Sequence, residues 1–585
     1  MAEINNTITS TSATSPTSNK AGTSVEIQKL DTIPIIFIPG IMGSNIRNSK
    51  DHDTVVWRIG NYAGAAKTVY NQAQKTPAQL QRELNPNETE VDPRGDLYLD
   101  PRAKITTKEA KNERLWGTVH WESYGPSLLY FEGALSNVRL EATEKNWLQR
   151  RRGYQLVAQD DKYTPDWLSL LSSNEKSSWN PQMGFESIDK NDIEKLKRFN
   201  FPVYALGYNW LQSNSISADN IASIMKRIKA KYGKNFHKFI VVTHSMGGLV
   251  GRSLSKKMGD DIAGIIHGVM PAVGAPAVYR RFVAGSIEGD GLKDIAAGLV
   301  LGKDTTHVTA VLGSSQGGME LLPSKEYLIR KKGYEPSPKW LSLIGGDEKG
   351  TSHVVTLPNS NPYKDIYKAH NVWWEMAKDE YLNPLRRKYV DITPRENFES
   401  LIDLVQKFHI SIANHYHNNT YVHFGADGSQ KTFGSLNWNL DRPLIGLDGN
   451  QLKTLPRANP KELLPVISEH NKKVYEKAKS ITDKEKLKEY YRENIMNENG
   501  QRFIKLKSGS FGKFTISRNK NEIGDGTVPF HSGVSPLYSG SSGVKQVFQM
   551  TGFDHQGSYG NQHVRRNVLY SIVKIIKDSN IQPRH

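Results

Sequence analysis

Residues 237–254, HKFIVVTHSMGGLVGRSL, constrain the fold more tightly than any other stretch of the chain. The apolar, β-branched run Phe239 to Val242 breaks at Thr243-His244-Ser245-Met246-Gly247, and apolar residues then resume at helical spacing. A short buried strand that turns sharply into a helix is the repeating unit of a parallel sheet, because the helix must carry the chain back before the next strand can start. The turn also has a chemical reading. A serine on such an elbow stands clear of the sheet, small neighbours prevent collisions, and the helix start aims free N–H groups at the reacting oxygen. Ser245 is therefore the candidate nucleophile. The usual G-x-S-x-G pattern has Thr243 in place of its first glycine, and an ordinary serine in a strand-helix turn is the competing reading; the apolar flanks and the Gly247-Gly248 pair favour the elbow.

The neighbouring segments extend the same unit. Upstream, Ile33 to Ile38 reads as a strand ending in Pro39-Gly40-Ile41-Met42-Gly43-Ser44, whose glycines allow close approach to a substrate. An oxyanion hole takes one backbone donor from the residue after the nucleophile and one from the loop after an earlier strand. Met246 and Ile41 are the expected donors, with Met42 and His244 as expected substrate contacts; His244, adjacent to the serine on a sharp turn, is a pocket wall or a donor behind the reacting groups and not the general base. Phe201 to Tyr208 reads as a further strand, and Ile221, Ile224, Met225 and Ile228 recur at helical spacing, with Ser217 placed as the cap and Gly233 as the stop. Ile262 to Met270 supplies the next strand.

The expectation is an α/β chain with the α/β-hydrolase fold: a doubly wound, mostly parallel sheet with large, mainly helical cap or lid insertions. At 585 residues the chain exceeds one ordinary core. The pattern divides it into a disordered tail at 1–30, a first part of the core at 31–276 with an insertion at about 49–195, a cap at 277–415, a core strand at 416–432, a basic insertion at 433–520 and a C-terminal part of the core at 521–585.

In this fold the acid and the base follow the nucleophile in the order Ser, Asp or Glu, His. Asp525 lies in the Gly-flanked turn EIGDGTVPFHSG, and His555 follows the apolar run Val544 to Met550; these are the expected partners of Ser245. Asp427, directly after the strand-like TYVHFG, is the alternative acid, and His563 the alternative base. His415, His417 and His423 have a spacing that a metal site can use, but no carboxylate ligand is anchored beside them and a structural role is favoured. Acyl chemistry on a serine requires no cofactor and no metal.

Composition sets further bounds. The absence of cysteine excludes disulfides, thiol catalysis and cysteine-held zinc. The longest apolar runs fall far short of the ~20 residues of a membrane-spanning helix, so the expectation is a soluble protein or one that lies on a membrane. The opening MAEINNTITSTSATSPTSNKAGTS lacks the basic-then-apolar order of a secretory signal and reads as a disordered Ser/Thr-rich tail. Net charge is +17, and residues 472–520 hold 14 Lys/Arg against 6 Asp/Glu, a net of +8. Such a run is most often a solvated helix face; a surface for anionic lipid, nucleic acid or an acidic partner is the other reading.

Taken in order, Pro39-Gly40-Ile41-Met42-Gly43-Ser44, Tyr208-Asn209-Trp210, His244-Ser245-Met246-Gly247-Gly248, Leu321-Leu322-Pro323 and Gly524-Asp525-Gly526-Thr527-Val528-Pro529 resemble the signature of the lecithin:cholesterol acyltransferase-like lipases. Asn209 stands where that family usually has Asp. Within that group the chain is most similar to bacterial type VI secretion phospholipase effectors, which are large, lack a signal peptide and carry long insertions. The resemblance implies a serine lipase or phospholipase that cuts carboxylic ester bonds of membrane phospholipids. It further implies synthesis in the cytoplasm, secretion without a signal peptide to the membrane of a rival cell, a cognate immunity protein, a secretion-spike protein as carrier, and no nucleic-acid partner. A triacylglycerol lipase or esterase and a lipid acyltransferase would share every catalytic residue. A basic membrane-binding module with an inactive hydrolase core is the non-enzymatic alternative, and the oligomeric state stays open.

Overall fold

A computed structural model describes residues 30–58, 74–99, 103, 105–136, 138, 167–286, 302–443, 447, 451–506 and 511–584. The N-terminal tail through residue 29 and the Gly/Ala-rich stretch around 290–301 lie outside the described residues. Six strands build the central sheet: β1 (Ile35–Ile38), β2 (Val203–Ala205), β3 (Phe239–His244), β4 (Ile262–Gly268), β5 (Thr420–Gly425) and β6 (Val544–Met550). Their order across the sheet is β6-β5-β4-β3-β1-β2, and every neighbouring pair is parallel. This is the doubly wound sheet of an α/β-hydrolase.

Both faces of the sheet are filled, which is why its strands read as continuous apolar runs instead of alternating ones. Ile36, Ile38 and Val241 face one side, where they pack in one cluster with Ile221 and Met225 of α2 (Asn214–Tyr232) and Val250 and Leu254 of α3 (Gly247–Met258). Ile35, Phe37, Ile240 and Val242 face the other, with Leu128 and Phe131 of α1 (Trp121–Leu135) and Val568 and Ile572 of α5 (Gln562–Asp578).

The cap of α2 differs from the expected one. Ser213, not Ser217, is the N-cap, and its Oγ accepts from the Ser215 N–H at 3.2 Å. Ser217 is buried within the first turns. The reason is tertiary: the buried Glu320 carboxyl group accepts the Asn214 N–H at 2.8 Å, its amide at 2.7 Å and the Ser213 hydroxyl at 2.9 Å, so the helix starts earlier, where an acceptor meets its first free N–H. Gly233 ends the helix at φ 52°, as expected. The strand expected over Phe201 to Tyr208 contributes only Val203–Ala205 to the ladder.

Beside the core stands a second sheet of five strands, in the order 352–357, 341–346, 436–440, 511–516, 501–505. It draws on both the stretch at 277–415 and the stretch at 433–520, and Trp373 stacks on Phe514 at 3.8 Å to seal it. Among the described residues, no helix is long and apolar enough to cross a membrane. The helix α4 (Pro394–Ile412) is tied to α3 by Arg252, which donates to the carbonyls of Ile412, of Ala272 at 2.7 Å and of His415 at 3.1 Å.

Ile572 on α5 is fully enclosed against the sheet, whereas Ile410 on α4 is 64% exposed. Ile572→Ala is expected to cost about 2–5 kcal/mol in denaturant-induced unfolding, and Ile410→Ala no more than about 0.5 kcal/mol.

Candidate active site

The sheet changes winding direction between β1 and β3: the chain proceeds outward from β1 to β2, then returns to the opposite side of β1 for β3. Ligands of open α/β sheets settle outside the strand ends at such a point. Register pairs Ile38 with Thr243, so the loop after β1 and the elbow after β3 emerge at one level.

Ser245 occupies that elbow with φ 53°, a left-handed conformation that costs a non-glycine residue about 1–3 kcal/mol. The turn is held by the Ser245 N–H donating to the Gly268 carbonyl at 2.9 Å and the Gly248 N–H donating to the Ser245 carbonyl at 2.8 Å. A Cβ on Gly247 would come within 2.4 Å of the Pro39 carbonyl oxygen, so only glycine lets the start of α3 lie against the end of β1.

His555 Nε2 lies 2.8 Å from Ser245 Oγ, and His555 Nδ1 lies 2.8 Å from Asp525 Oδ2. The other carboxylate oxygen of Asp525 accepts the N–H groups of Thr527 at 3.0 Å and Val528 at 2.7 Å, which locks the carboxylate toward the imidazole. The His555 N–H also donates to the Asp525 carbonyl at 2.7 Å. Ser245 is 5% exposed and Asp525 is 1% exposed, so the three groups sit in a largely desolvated line. With Nδ1–H directed at the carboxylate, Nε2 presents a lone pair to the serine hydroxyl, the tautomer a general base requires.

The loop after β1 is a tight turn: the Gly43 N–H donates to the Gly40 carbonyl at 3.1 Å, and Met42 takes φ 61°. The Trp57 indole steadies the strained residue by donating to the Met42 carbonyl at 2.8 Å. Among the described residues, neither the Ile41 nor the Met246 N–H donates to a main-chain carbonyl.

Of the two places expected for His244, a pocket wall or a donor behind the reacting groups, its hydrogen bonds fit the second. Its Nε2 meets the His555 carbonyl at 2.9 Å and its Nδ1 meets the Tyr124 hydroxyl at 3.0 Å; with 1% exposure, both polar atoms are spent inside the protein. Tyr124, from α1, was not singled out by the sequence; an apolar-periodic helix inside a long insertion carries no local mark of reaching the elbow. Asp427 points away from the imidazole and accepts the Gly552 N–H at 2.9 Å, fastening the loop that leads to His555. His563 pairs with Glu175 at 3.0 Å. His415 bonds Ser255 at 2.9 Å, His417 meets the Gly259 carbonyl at 3.3 Å, and His423 is buried without a hydrogen-bond partner among the described residues. No group of three or more His, Cys, Asp or Glu among the described residues is arranged to hold a metal ion. Asn209 explains its own departure from the Asp pattern: its amide donates to the Thr89 carbonyl at 2.9 Å and hydroxyl at 3.0 Å, which a carboxylate cannot do.

The fold is that of an α/β-hydrolase. The chain is similar over 93% of its length to a chain of the solved Tle4–Tli4 complex, with 27% identity, a TM-score of 0.68 and 99% of that chain covered. Phospholipase PlaB from Legionella pneumophila aligns with 12% identity over 47% of this chain and 68% of that one, at a TM-score of 0.14 that carries no weight for the fold. No protein-family model and no curated protein matches the chain.

Burial pushes the imidazoles of His120, His244, His267 and His423 down to about 3, and that of His409 to about 4. Unfolded, each titrates near 6.5, so between these values the unfolded chain binds more protons, and stability present above pH 6.5 is lost as the pH falls. Burial also pushes Glu320 up to about 7 and raises Glu132 and Glu375, which acts with the opposite sign, but as three carboxyls against five imidazoles. The thermal unfolding midpoint should therefore drop between pH 6.5 and 4.5, and a flat profile across that window would contradict the neutral assignment of these histidines.

Proposed function

We propose that this chain is a serine carboxylic ester hydrolase, a phospholipase A or lipase that attacks membrane phospholipids with Ser245 as nucleophile, His555 as general base and Asp525 as its orienting acid. The observation that carries the reading is the continuous hydrogen-bonded line from Asp525 through His555 to a serine on a left-handed elbow at the switch point of the sheet. His555 takes the hydroxyl proton as Ser245 Oγ attacks the ester carbonyl. The N–H groups of Ile41 and Met246 receive the developing oxyanion, a contribution of roughly 3–4 kcal/mol per donor in comparable sites. His555 then protonates the departing alcohol, and water, activated by the same imidazole, releases the acyl group from Ser245. Met42 borders the acyl path from the strained turn beside Ile41.

The similarity to a chain found in a Tle4–Tli4 complex supports a partner protein for this chain as well, read here as an immunity protein. Together with the ordered motifs of lecithin:cholesterol acyltransferase-like lipases, it supports an antibacterial effector carried by type VI secretion on a spike protein to the membrane of a target cell.

The test is fatty-acid release from mixed phospholipid vesicles. Wild type should release fatty acid; Ser245→Ala and His555→Ala should lose nearly all of it, and Asp525→Asn about 10⁴-fold, because the amide favours the wrong tautomer. Asp427→Asn should stay within about twofold, since its carboxylate does not meet the imidazole. A wild type inert on phospholipid that still cleaves simple esters through Ser245 would end the membrane-attacking reading and leave the esterase.

A further inference from the structure

Three hydrogen bonds join the loop after β1, the elbow and the backbone of the base. The Gly40 N–H donates to the Tyr124 hydroxyl oxygen at 3.0 Å, that hydroxyl meets His244 Nδ1 at 3.0 Å, and His244 Nε2 meets the His555 carbonyl at 2.9 Å. The direction of every proton follows from the last link. A carbonyl can only accept, so Nε2 carries the hydrogen; in a neutral imidazole Nδ1 is then bare and accepts, so the Tyr124 O–H must donate to it while its oxygen accepts from Gly40. Burial keeps His244 neutral and raises the Tyr124 phenol to about 12, consistent with a chain of fixed polarity.

The surroundings leave this chain little freedom. The Tyr124 ring packs against Phe37 at 5.2 Å and edge-on to His244 at 5.5 Å, and the His244 ring lies 5.1 Å from that of His555. The approach depends on two glycines: a Cβ on Gly40 would meet His244 Nδ1 at 2.9 Å, and one on Gly43 would meet the Tyr124 hydroxyl at 2.7 Å. His555 is consequently gripped at both ends of its own backbone, its N–H by Asp525 and its carbonyl by His244. Gly40, gripped by Tyr124, directly precedes Ile41.

We infer that Tyr124 is a positioning residue that holds the oxyanion-forming turn and the catalytic imidazole in register, acting through His244; the role rests on the hydrolase reading above. The acceptor for Gly40 and the donor for His244 are one atom, so removing that oxygen releases the turn and the imidazole together. Because Tyr124 is buried and its hydroxyl meets Gly40 and His244 and not Ser245 or His555 Nε2, its loss should appear in the chemical step and not in binding.

The test uses the full chain with a p-nitrophenyl ester for kcat and KM, and a fluorophosphonate to label Ser245 and count competent sites. Tyr124→Phe keeps the ring and removes only the oxygen. Its kcat per labelled site should fall about tenfold to a hundredfold, less than the roughly 10²–10³ lost when an oxyanion donor is deleted outright, with KM within about twofold. His244→Gln keeps a donor for the His555 carbonyl and should be less impaired than His244→Ala. In the Tyr124→Phe/His244→Gln pair the losses should be strongly non-additive, since both sit on one hydrogen-bonded chain. Additive losses, a defect confined to KM, or a Tyr124→Phe enzyme with wild-type kcat per labelled site would overturn the role while leaving the hydrolase standing. A wild type that is not labelled at Ser245 would overturn the hydrolase reading itself, and the positioning role with it.

Discussion

The close approach of two backbones, the end of β1 and the start of α3, is the constraint on which the site depends. Only a glycine at 247 fits beneath the Pro39 carbonyl, and only a glycine at 40 fits beside His244 and Ser245. That contact accompanies the left-handed conformation of Ser245 and brings the Gly40–Gly43 turn to its level. The strain is retained because the parallel ladder on both sides of β3 and the packed face of α3 leave the elbow no other conformation. A site that must stabilise charge as it develops benefits from donors fixed beforehand, and steric exclusion by the sheet provides that fixity without a metal or a cofactor in the scheme proposed here.

What could be read in the sequence was whatever has a local mark. Phe239 to Val242 and Val544 to Met550 announce buried parallel strands because both faces of the sheet are covered, and each is followed by a turn rich in small residues. Asp525 stands in such a turn, and the structure places it beside His555, whereas Asp427, equally well placed by its strand, faces Gly552. Local pattern ranks candidates at a turn but does not say which way a carboxylate points. The second sheet as a whole had no such mark: 341–346 pairs with 352–357 and 501–505 with 511–516 close in the chain, but the strand 436–440 that joins the two pairs reaches them across long stretches of intervening chain. The cap of α2 was misplaced for the same reason: Glu320, the group that starts the helix at Asn214, arrives from a distant segment. Tyr124 belongs to this class as well, whereas a supporting role for His244 was among the readings its place beside Ser245 allowed.

Two of the long excursions from the central sheet are pinned where they leave and return. After β5 the chain turns into the strand Asp427–Thr432, departs through the second sheet, and comes back as Glu522–Gly524, with Asp427 opposite Gly524 in antiparallel register. That pairing returns the chain to the end of β5, where Gly425 has no side chain to obstruct Asp525; a Cβ there would lie 2.7 Å from that of Asp525. The insertion after β1 is pinned similarly: Asn45 and Gly207 both bond Thr118, and the Ala205 N–H bonds the Arg114 carbonyl. Material inserted between such clamps can vary in length at modest entropic cost, since loop closure grows only slowly with length. The second clamp does more than close a stalk. It sets the start of α1 against β1 and β2, and α1 is the helix that brings Tyr124 to the elbow. The first insertion thus contributes a buried side chain to the core of the site, so its fold and the geometry of the elbow are a single structural problem.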